Sequence, residues 1–398
     1  MLYIKNDKKT VAVAMSGGVD SSVSAIILKN RGFNVIGLSM RLIGDLNNKE
    51  AAEKSCCSVS DLIDAKRVCV KLGIPHFVIN LEDEFKENVI DKFTKEYLEG
   101  KTPNPCILCN KILKFDILMK RVAQLGADYL ATGHYARITE KLNGGFNLIK
   151  AKDPLKDQSY VLYNLNQKLL NRLIFPVGNL YKSEIRKIAL ENGFNEISKK
   201  KDSVEICFIP DGNYHKFILN QLKYLYSNGN NDYNGDGAYG VNGDYSGYIK
   251  NMSGEIIGKH NGIFQYTVGQ RKRLGISSAH PLYVIKIDPA TKDIFVGAMD
   301  ECAGSELYIN DFNFIDDRYK NMLSELNLTA KIRYSSSNYE CSAEIINNEM
   351  PKIPNFTDRV TINRVKIIFK EPVKFITPGQ SAVLYSGMKV IGGGIIGI

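Results

Sequence analysis

No apolar run in the 398 residues approaches the ~18 that a membrane-spanning helix needs, which excludes a helical membrane anchor. The opening MLYIKNDKKT carries charge and amide groups where a secretory leader would place about 7–15 apolar residues, so the expected compartment is the cytoplasm. No repeat of fixed period runs through the chain. The glycine pair between the first predicted strand and helix lacks the Gly-Lys-Ser/Thr ending and does not read GxGxxG, so that loop is neither the Walker type nor the dinucleotide fingerprint. Cysteine is sparse: eight residues spread over a chain without a leader do not read as a disulfide framework, and are taken first as reduced thiols, reactive groups or metal ligands.

What is present is ordinary globular composition, 44% hydrophobic and 24% charged. The length exceeds the roughly 250–300 residues at which single cores stop growing, so two or three domains are expected. Lysine plus arginine exceeds aspartate plus glutamate by 52 − 43 = 9, a field that favours polyanions, nucleic acid first among them.

From Val11 to about Leu130, β-rich runs (VAVAM, VIGLSM, FVIN, DYLATG) alternate with helical patterns (SSVSAIILKNRG, DLIDAKRVCVKLG, KILKFDILMKRVAQLG). That alternation predicts βαβ units around a parallel sheet covered on both faces, with ligands at the carboxyl ends of the strands. After Asp202 the rhythm changes. The tract Ser227–Tyr248 is almost wholly Asn, Gly, Asp, Ser and Tyr and reads as a flexible surface insertion. From Pro281 the chain turns to β: YVIKIDPATKDIFVG reads as a hairpin, and the strands after it suggest a small barrel or sandwich. The expected division is 1–206, 207–280 and 281–398.

Between the first predicted strand and helix lies Ser16-Gly17-Gly18-Val19-Asp20-Ser21. Two glycines let the backbone approach an anion, and the helix behind them offers unpaired N–H groups and the positive end of its dipole, which makes a phosphate cradle. An ordinary strand-to-helix turn is the plainer alternative.

Thr102-Pro103-Asn104-Pro105-Cys106-Ile107-Leu108-Cys109-Asn110 is a rigid turn expected to lead into a helix over 111–125. A thiol just ahead of a helix N-terminus, with Lys111 and Lys114 near it, is a candidate nucleophile, Cys109; the CxxC spacing equally suits a redox pair or half of a metal site. Cys207, in KDSVEICFIP, taken alone reads as a buried core thiol. Cys69, Cys302 and Cys341 read as packing, and the pair Cys56-Cys57 carries a metal or redox alternative.

SGGVDSS at 16–22, TPNPCxxCN at 102–110, ATGHYAR at 131–137, KDQSY at 156–160, FPVG at 175–178, KDSxxICFIP at 201–210, TVGQRKRLGI at 267–276 and TPGQSAV at 377–383 occur in this order. The loop resembles that of the ATP pyrophosphatases, and the whole set resembles the bacterial tRNA-specific 2-thiouridylases, which replace O2 of the wobble uridine with sulfur. The resemblance spans residues 11 to 398 apart from the Asn/Gly tract. It implies an adenine-nucleotide α-hydrolase-like doubly wound α/β domain, a small central domain and a C-terminal β-barrel. It implies ATP contacts at Ala14, Met15, Ser16, Gly17, Gly18, Val19, Asp20, Ser21, Met40 and Gly133, with Mg²⁺ alongside. By the same resemblance Cys109 is the nucleophile, Cys207 carries a persulfide, and the two form a disulfide at each turnover. Asn104, Pro105 and Cys106 meet the target base, while His134, Lys156, Asp157, Gln158, Arg333, Tyr334 and Gln380 contact tRNA. Arg271, Lys272 and Arg273 sit on a turn suited to RNA backbone contact. The sulfur donor it implies is a cysteine desulfurase or a sulfur-relay protein.

Two departures stand out. Many members have Asp where this chain has Cys106, and a Thr-Gly pair where it has Val204-Glu205. Cys106, Cys109 and Cys207 would then offer three thiols for a [4Fe-4S] cluster as a second mechanism. Two other readings compete: a small-molecule ligase using the same loop, which leaves the cysteines idle, and a non-catalytic RNA-binding protein.

Overall fold

The computed structural model describes residues 8–43, 59–202, 206–209, 211–227, 245–347 and 363–397. Cys56-Cys57, Val204-Glu205 and all but the ends of the 227–248 tract lie outside them.

The apolar runs of the first half become strands β1 (Thr10–Ala14), β2 (Asn34–Arg41), β3 (His76–Asn80) and β4 (Tyr129–Ala131). With β7 (Leu173–Ile174) they form one sheet in the order β3-β2-β1-β4-β7, parallel throughout. Period-2 alternation sends successive side chains to opposite faces. Val11 and Val13 pack into one cluster with Val23, Ile26, Val68 and Ile185, while Ala12, Leu38 and Met40 pack into another with Phe93, Leu113 and Leu118. Two cores on one sheet are what a doubly wound fold requires, and the near-continuous apolar strands follow from burial on both sides.

The helices deliver those faces. α1 (Val19–Asn30) and α2 (Val59–Leu72) cover one side; a helix over 82–98 (α3) and another over 105–124 (α4) cover the other. The predicted helix start at 111 is too late. Asn104 caps α4 by accepting from the Cys106 backbone N–H, and Pro105 takes the first helical position, where a missing N–H costs nothing. From Cys109 to Ile117 the turns widen to π geometry before α-helix resumes at Leu118. Cys109 therefore sits at the switch from α to π winding and Cys106 in the first turn, a type of irregularity that recurs at functional sites. α5 (Lys182–Glu191) and α6 (Asn195–Lys199) close the domain, and α7 (Tyr214–Ser227) follows it.

The second sheet runs β10 (Tyr283–Asp288), β11 (Asp293–Gly297), β8 (Gly247–Lys250), β9 (Ile256–His260). The hairpin expected within 281–398 thus belongs here: β11 runs parallel to β8, with Ile294 opposite Ile249, both fully buried. The strands from Ala303 on form the barrel: β12 (Ala303–Phe314), β15 (Asn363–Lys374), β14 (Tyr339–Asn347), β13 (Leu328–Lys331), β16 (Ser381–Ser386) and β17 (Lys389–Ile396), closed by β12 against β17. Closure leaves no sheet edge between these six. An N-terminal hairpin, β5 (Ala136–Glu140) and β6 (Phe146–Lys150), joins through Lys389 opposite Ile149. Buried tyrosines fasten the parts: Tyr160 Oη donates to Ser381 O (2.7 Å), and Tyr163 Oη lies 3.0 Å from Ser381 Oγ. Among the described residues no helix is long and apolar enough to cross a membrane.

Candidate active site

β1 to β3 progress one way across the sheet and β4 lies on the other side of β1, so the switch point falls between β1 and β4. A cleft of about 190 Å³ opens there, at the carboxyl ends of the strands. It is lined by Ala14, Met15, Ser16, Asp20, Ser21, Leu38, Met40, Lys114, Thr132, Gly133, His134 and Gln158. Seven expected nucleotide contacts meet here, joined by His134 and Gln158 from the expected tRNA set. Gly17, Gly18 and Val19 stand behind the lining: the Gly17 carbonyl accepts from Lys200 Nζ (3.1 Å), Gly18 caps α1, and Val19 is buried in the core.

The loop is held by its own serines. Ser16 N–H donates to Ser21 Oγ (3.2 Å), and Ser21 Oγ donates to Gly18 O (3.1 Å). Lys200 braces it from outside through Asp61 (2.6 Å) and Asp64 (2.7 Å) on α2; burial opposes its charge, and the two carboxylates outweigh burial and raise it above the ordinary lysine range.

The chain-distant partners of Asp20 give no signal in the sequence. Tyr135 Oη donates to Asp20 Oδ1 (2.6 Å), and Lys182 Nζ from α5 reaches both Asp20 oxygens (2.8 and 2.9 Å). Lys182 also pairs with Asp202 (2.8 Å), which takes Lys156 (2.7 Å) and Arg186 (3.2 Å) as well. With its side chain only 12% exposed, Lys182 ties the phosphate loop to the segment that leads to Cys207. Burial, then Asp20, pushes the Tyr135 phenol far above its usual range, so it stays protonated and donates. At Asp202 burial opposes ionisation, and hydrogen bonds from Lys156 and Lys182 outweigh it, holding the carboxyl below its usual range.

His134 is buried between Phe115 and Phe175, its Nδ1 2.7 Å from Thr132 Oγ1. Burial, then Lys114, holds its pKa well below the ordinary value, so a neutral imidazole faces the cleft. Gln158 Oε1 accepts from Tyr135 N–H (2.9 Å), which fixes one end of its amide.

Cys109 and Cys207 both pack against the core on the α4 side of the sheet, half-buried, while Cys106 is exposed. Behind Cys207, Phe208 is wedged edge-on against Phe85 (5.7 Å) and Phe93 (5.3 Å). α4 thus presents Cys106, Cys109 and, at the cleft wall, Lys114 from one helix. The described residues contain no disulfide; Cys106, Cys109 and Cys207 are thiols. Nor does any group of three His, Cys, Asp or Glu side chains among them converge as a metal-ligand set. The donor set of an iron–sulfur cluster is not assembled among the described residues.

The remaining expected RNA contacts divide. Asp157 accepts from Ala151 N–H (2.9 Å) and Ser159 Oγ (2.8 Å), so it organises its own turn. Arg333 turns inward, its Nη2 donating to Val268 O (2.9 Å), Phe375 O (3.1 Å) and Thr377 Oγ1, which locks the barrel to the second sheet. Gln380 Nε2 donates to Thr102 O (2.7 Å), tying TPGQS to the start of TPNPC. Tyr334 is exposed, as are Arg271, Lys272 and Arg273; Arg273 adopts φ +62°. Cys69, pushed up to about 11 by burial, and Cys341, to about 12 by burial, are packing thiols.

A glycine loop at the switch point of a doubly wound parallel sheet defines a nucleotide-binding α/β enzyme. Comparison narrows this. Residues 9–211 match the family model described as the tRNA methyl transferase HUP domain, 240–298 the tRNA methyl transferase PRC-barrel domain, and 304–396 the aminomethyltransferase beta-barrel domain. The tRNA-specific 2-thiouridylase MnmA of Clostridium beijerinckii is 45% identical over 98% of this chain and 99% of its own, and that of Clostridium kluyveri 44% identical over 98% and 99%. A solved 4-thiouridine synthetase–RNA complex with bound ATP aligns at 20% identity with a TM-score of 0.32, over 55% of this chain and 52% of that one. The models' descriptions say methyl transferase and the relatives say thiouridylase; the relatives extend over nearly the whole chain and decide between them. The chain belongs to the tRNA-specific 2-thiouridylases.

Proposed function

We propose that this enzyme replaces O2 of the wobble uridine of tRNA with sulfur, consuming ATP and releasing AMP and pyrophosphate. The observation that carries the reading is the pairing of full-length similarity to 2-thiouridylases with a phosphate loop at the switch point beside a helix that bears Cys106 and Cys109.

A uridine C2 carbonyl resists displacement because its oxygen leaves poorly, so the oxygen is first adenylated. O2 attacks the α-phosphorus and pyrophosphate departs over Ser16–Ser21, where the loop N–H groups and the α1 dipole stabilise charge. Asp20, the carboxylate lining the cleft, would hold Mg²⁺, which when bound neutralises phosphate charge. Hydrogen bonds from Lys182 and Tyr135 aim that carboxylate. The terminal sulfur of a Cys207 persulfide then adds to C2, and AMP leaves with the former O2. Cys109 thiolate attacks Cys207 Sγ, breaks the sulfur–sulfur bond and frees 2-thiouridine. The product is a Cys109–Cys207 disulfide, which a dithiol reductant must open. Asn104, Pro105 and Cys106 face the target base, turned out of its stack. A desulfurase or sulfur-relay protein loads Cys207.

The test is thiolated uridine by mass spectrometry after anaerobic incubation with ATP, Mg²⁺, unmodified tRNA and a persulfide source, alongside iron content. Thiolation without iron is expected. Thiolation that tracks bound iron and fails in Cys106→Ala would overturn the persulfide route, and AMP formation without RNA would point instead to a small-molecule ligase.

A further inference from the structure

Two lysines at the junction of the N-terminal domain and the barrel have no part in the chemistry above. Lys150 ends β6 and Lys331 ends β13, and both are half-buried. Each ammonium rests on aromatic faces: Lys150 Nζ is 4.2 Å from the Tyr385 ring centre, and Lys331 Nζ is 5.4 Å from that of Tyr334 and 5.9 Å from that of Tyr160. The rings themselves are fixed. Tyr160 and Tyr334 meet edge to face at 6.1 Å, and Tyr385 Oη lies 3.2 Å from Ser159 Oγ.

The carboxylate acting on both lysines is the same one, Asp157. Its oxygens already accept from Ala151 N–H, Ser159 N–H and Ser159 Oγ. Two ammonium groups against one committed carboxylate leave one positive charge over. Burial holds both lysines below their ordinary range, Asp157 opposes it, and at Lys150 the charge of Lys331 adds to the lowering. Partly desolvated like charges held together on rigid rings cost free energy unless an anion joins them.

The surroundings identify the anion. Tyr334 is exposed and meets Tyr160 edge to face, so the lysine pair lies beside the turn Ser159–Leu162. The turn Ser159–Leu162 packs on α4 through Asn110 Nδ2, which donates to Val161 O (3.2 Å). Neither lysine nor Tyr334 lines the nucleotide cleft. Arg333, two residues from Lys331, spends its Nη2 on Val268, Phe375 and Thr377, so its charge reaches Tyr160 from inside the fold and the guanidinium does not face this surface. A half-buried, positive site with an exposed ring at its edge suits a phosphodiester flanked by a stackable base better than a small enclosed anion.

The geometry points to an RNA phosphate site: Lys150 and Lys331 hold a backbone phosphate of the tRNA next to the target nucleotide, with Tyr334 beside it. This rests on the thiouridylase function proposed above. Neutralising one phosphate adds about 0.7 to 0.9 to the slope of log affinity against log salt. The test measures binding of an unmodified tRNA transcript from 50 to 300 mM salt for the full chain, for Lys150→Gln/Lys331→Gln and for Lys150→Arg/Lys331→Arg, with thermal unfolding of each. The glutamine pair should weaken binding about 5- to 20-fold at 0.15 M salt and reduce the slope by about 0.7 to 0.9, and the arginine pair should restore both. A glutamine pair that folds and keeps the wild-type slope overturns the site, because lost packing alone would not move the slope. Inorganic phosphate binding that depends on the lysines while the tRNA slope does not would make this a free-anion site and equally overturn it. A wild-type chain with no tRNA affinity would instead refute the function on which the proposal rests.

Discussion

Gly133 follows β4 where the chain crosses the first turn of α1, and a methyl group added there has nowhere to go. A Cβ would lie 2.8 Å from Ser21 N, 2.9 Å from Asp20 C and 3.0 Å from Asp20 Cβ. Two of these are backbone atoms at a helix start, so no side-chain tip can swing aside. Restoring ordinary contact near 3.4 Å requires the β4 loop and α1 to part by about 0.6 Å. That opening falls between the two halves of the cleft, Ser16–Ser21 on one side and Thr132–His134 on the other. Overpacking of this kind costs about 1–3 kcal/mol. Misplacement by ~1 Å can cost on the order of 10²-fold in rate, so Gly133→Ala should lower kcat/KM for ATP roughly 10-fold or more. The comparison is Gly126→Ala, where φ is +71° and nothing lies within 4 Å of the added methyl. It should lose about 1 kcal/mol through backbone strain and keep its affinity for ATP. The assay pairs thermal unfolding with ATP titration of both variants. A folded Gly133→Ala that binds ATP within twofold of wild type, with unchanged kcat/KM, would refute the argument.

Cys207→Ser should abolish thiolation and leave adenylation of tRNA intact, whereas Asp20→Ala should abolish both; loss of adenylation in the Cys207 variant, read as labelled AMP, would contradict the division of roles. A single turnover without reductant should leave Cys109 and Cys207 joined, visible by peptide mapping of the alkylated protein. His134 is buried neutral, so its folded pKa lies below the unfolded value: its contribution is intact above about pH 6.5 and is lost as pH falls below it, when the unfolded chain takes up the proton. At pH 5.5 wild type should lose about 1.4 kcal/mol more than His134→Gln relative to pH 7.5, measured by urea unfolding; equal losses would show that the imidazole is not held neutral. Lys182→Met leaves Asp20 with Tyr135 but no cation and should cost about 2 kcal/mol, discounted from a fully buried pair because Asp20 is 31% exposed. An unchanged unfolding temperature would contradict that role.

Local chemistry is legible in a sequence because it acts over a few residues. The alternation of VAVAM, SSVSAIILKNRG and VIGLSM determines strand, helix and strand, and two-sided burial follows from the unbroken apolar runs. The two glycines before α1 mark the phosphate loop, and the order of motifs from 16 to 383 marks the family. Tertiary structure alone decided the rest. The start of α4 at Pro105, ahead of the predicted 111, depends on a cap made by Asn104 that competes with the turn reading of TPNP. The allegiance of the 283–297 hairpin was settled by β8 supplying a parallel partner across a stretch of chain with no strand pattern. Asp20 finds Tyr135 and Lys182 at separations of 115 and 162 residues, and Arg333 turns inward to acceptors 42 to 65 residues away. Such pairings depend on which surfaces packing brings together, and no local spacing encodes them.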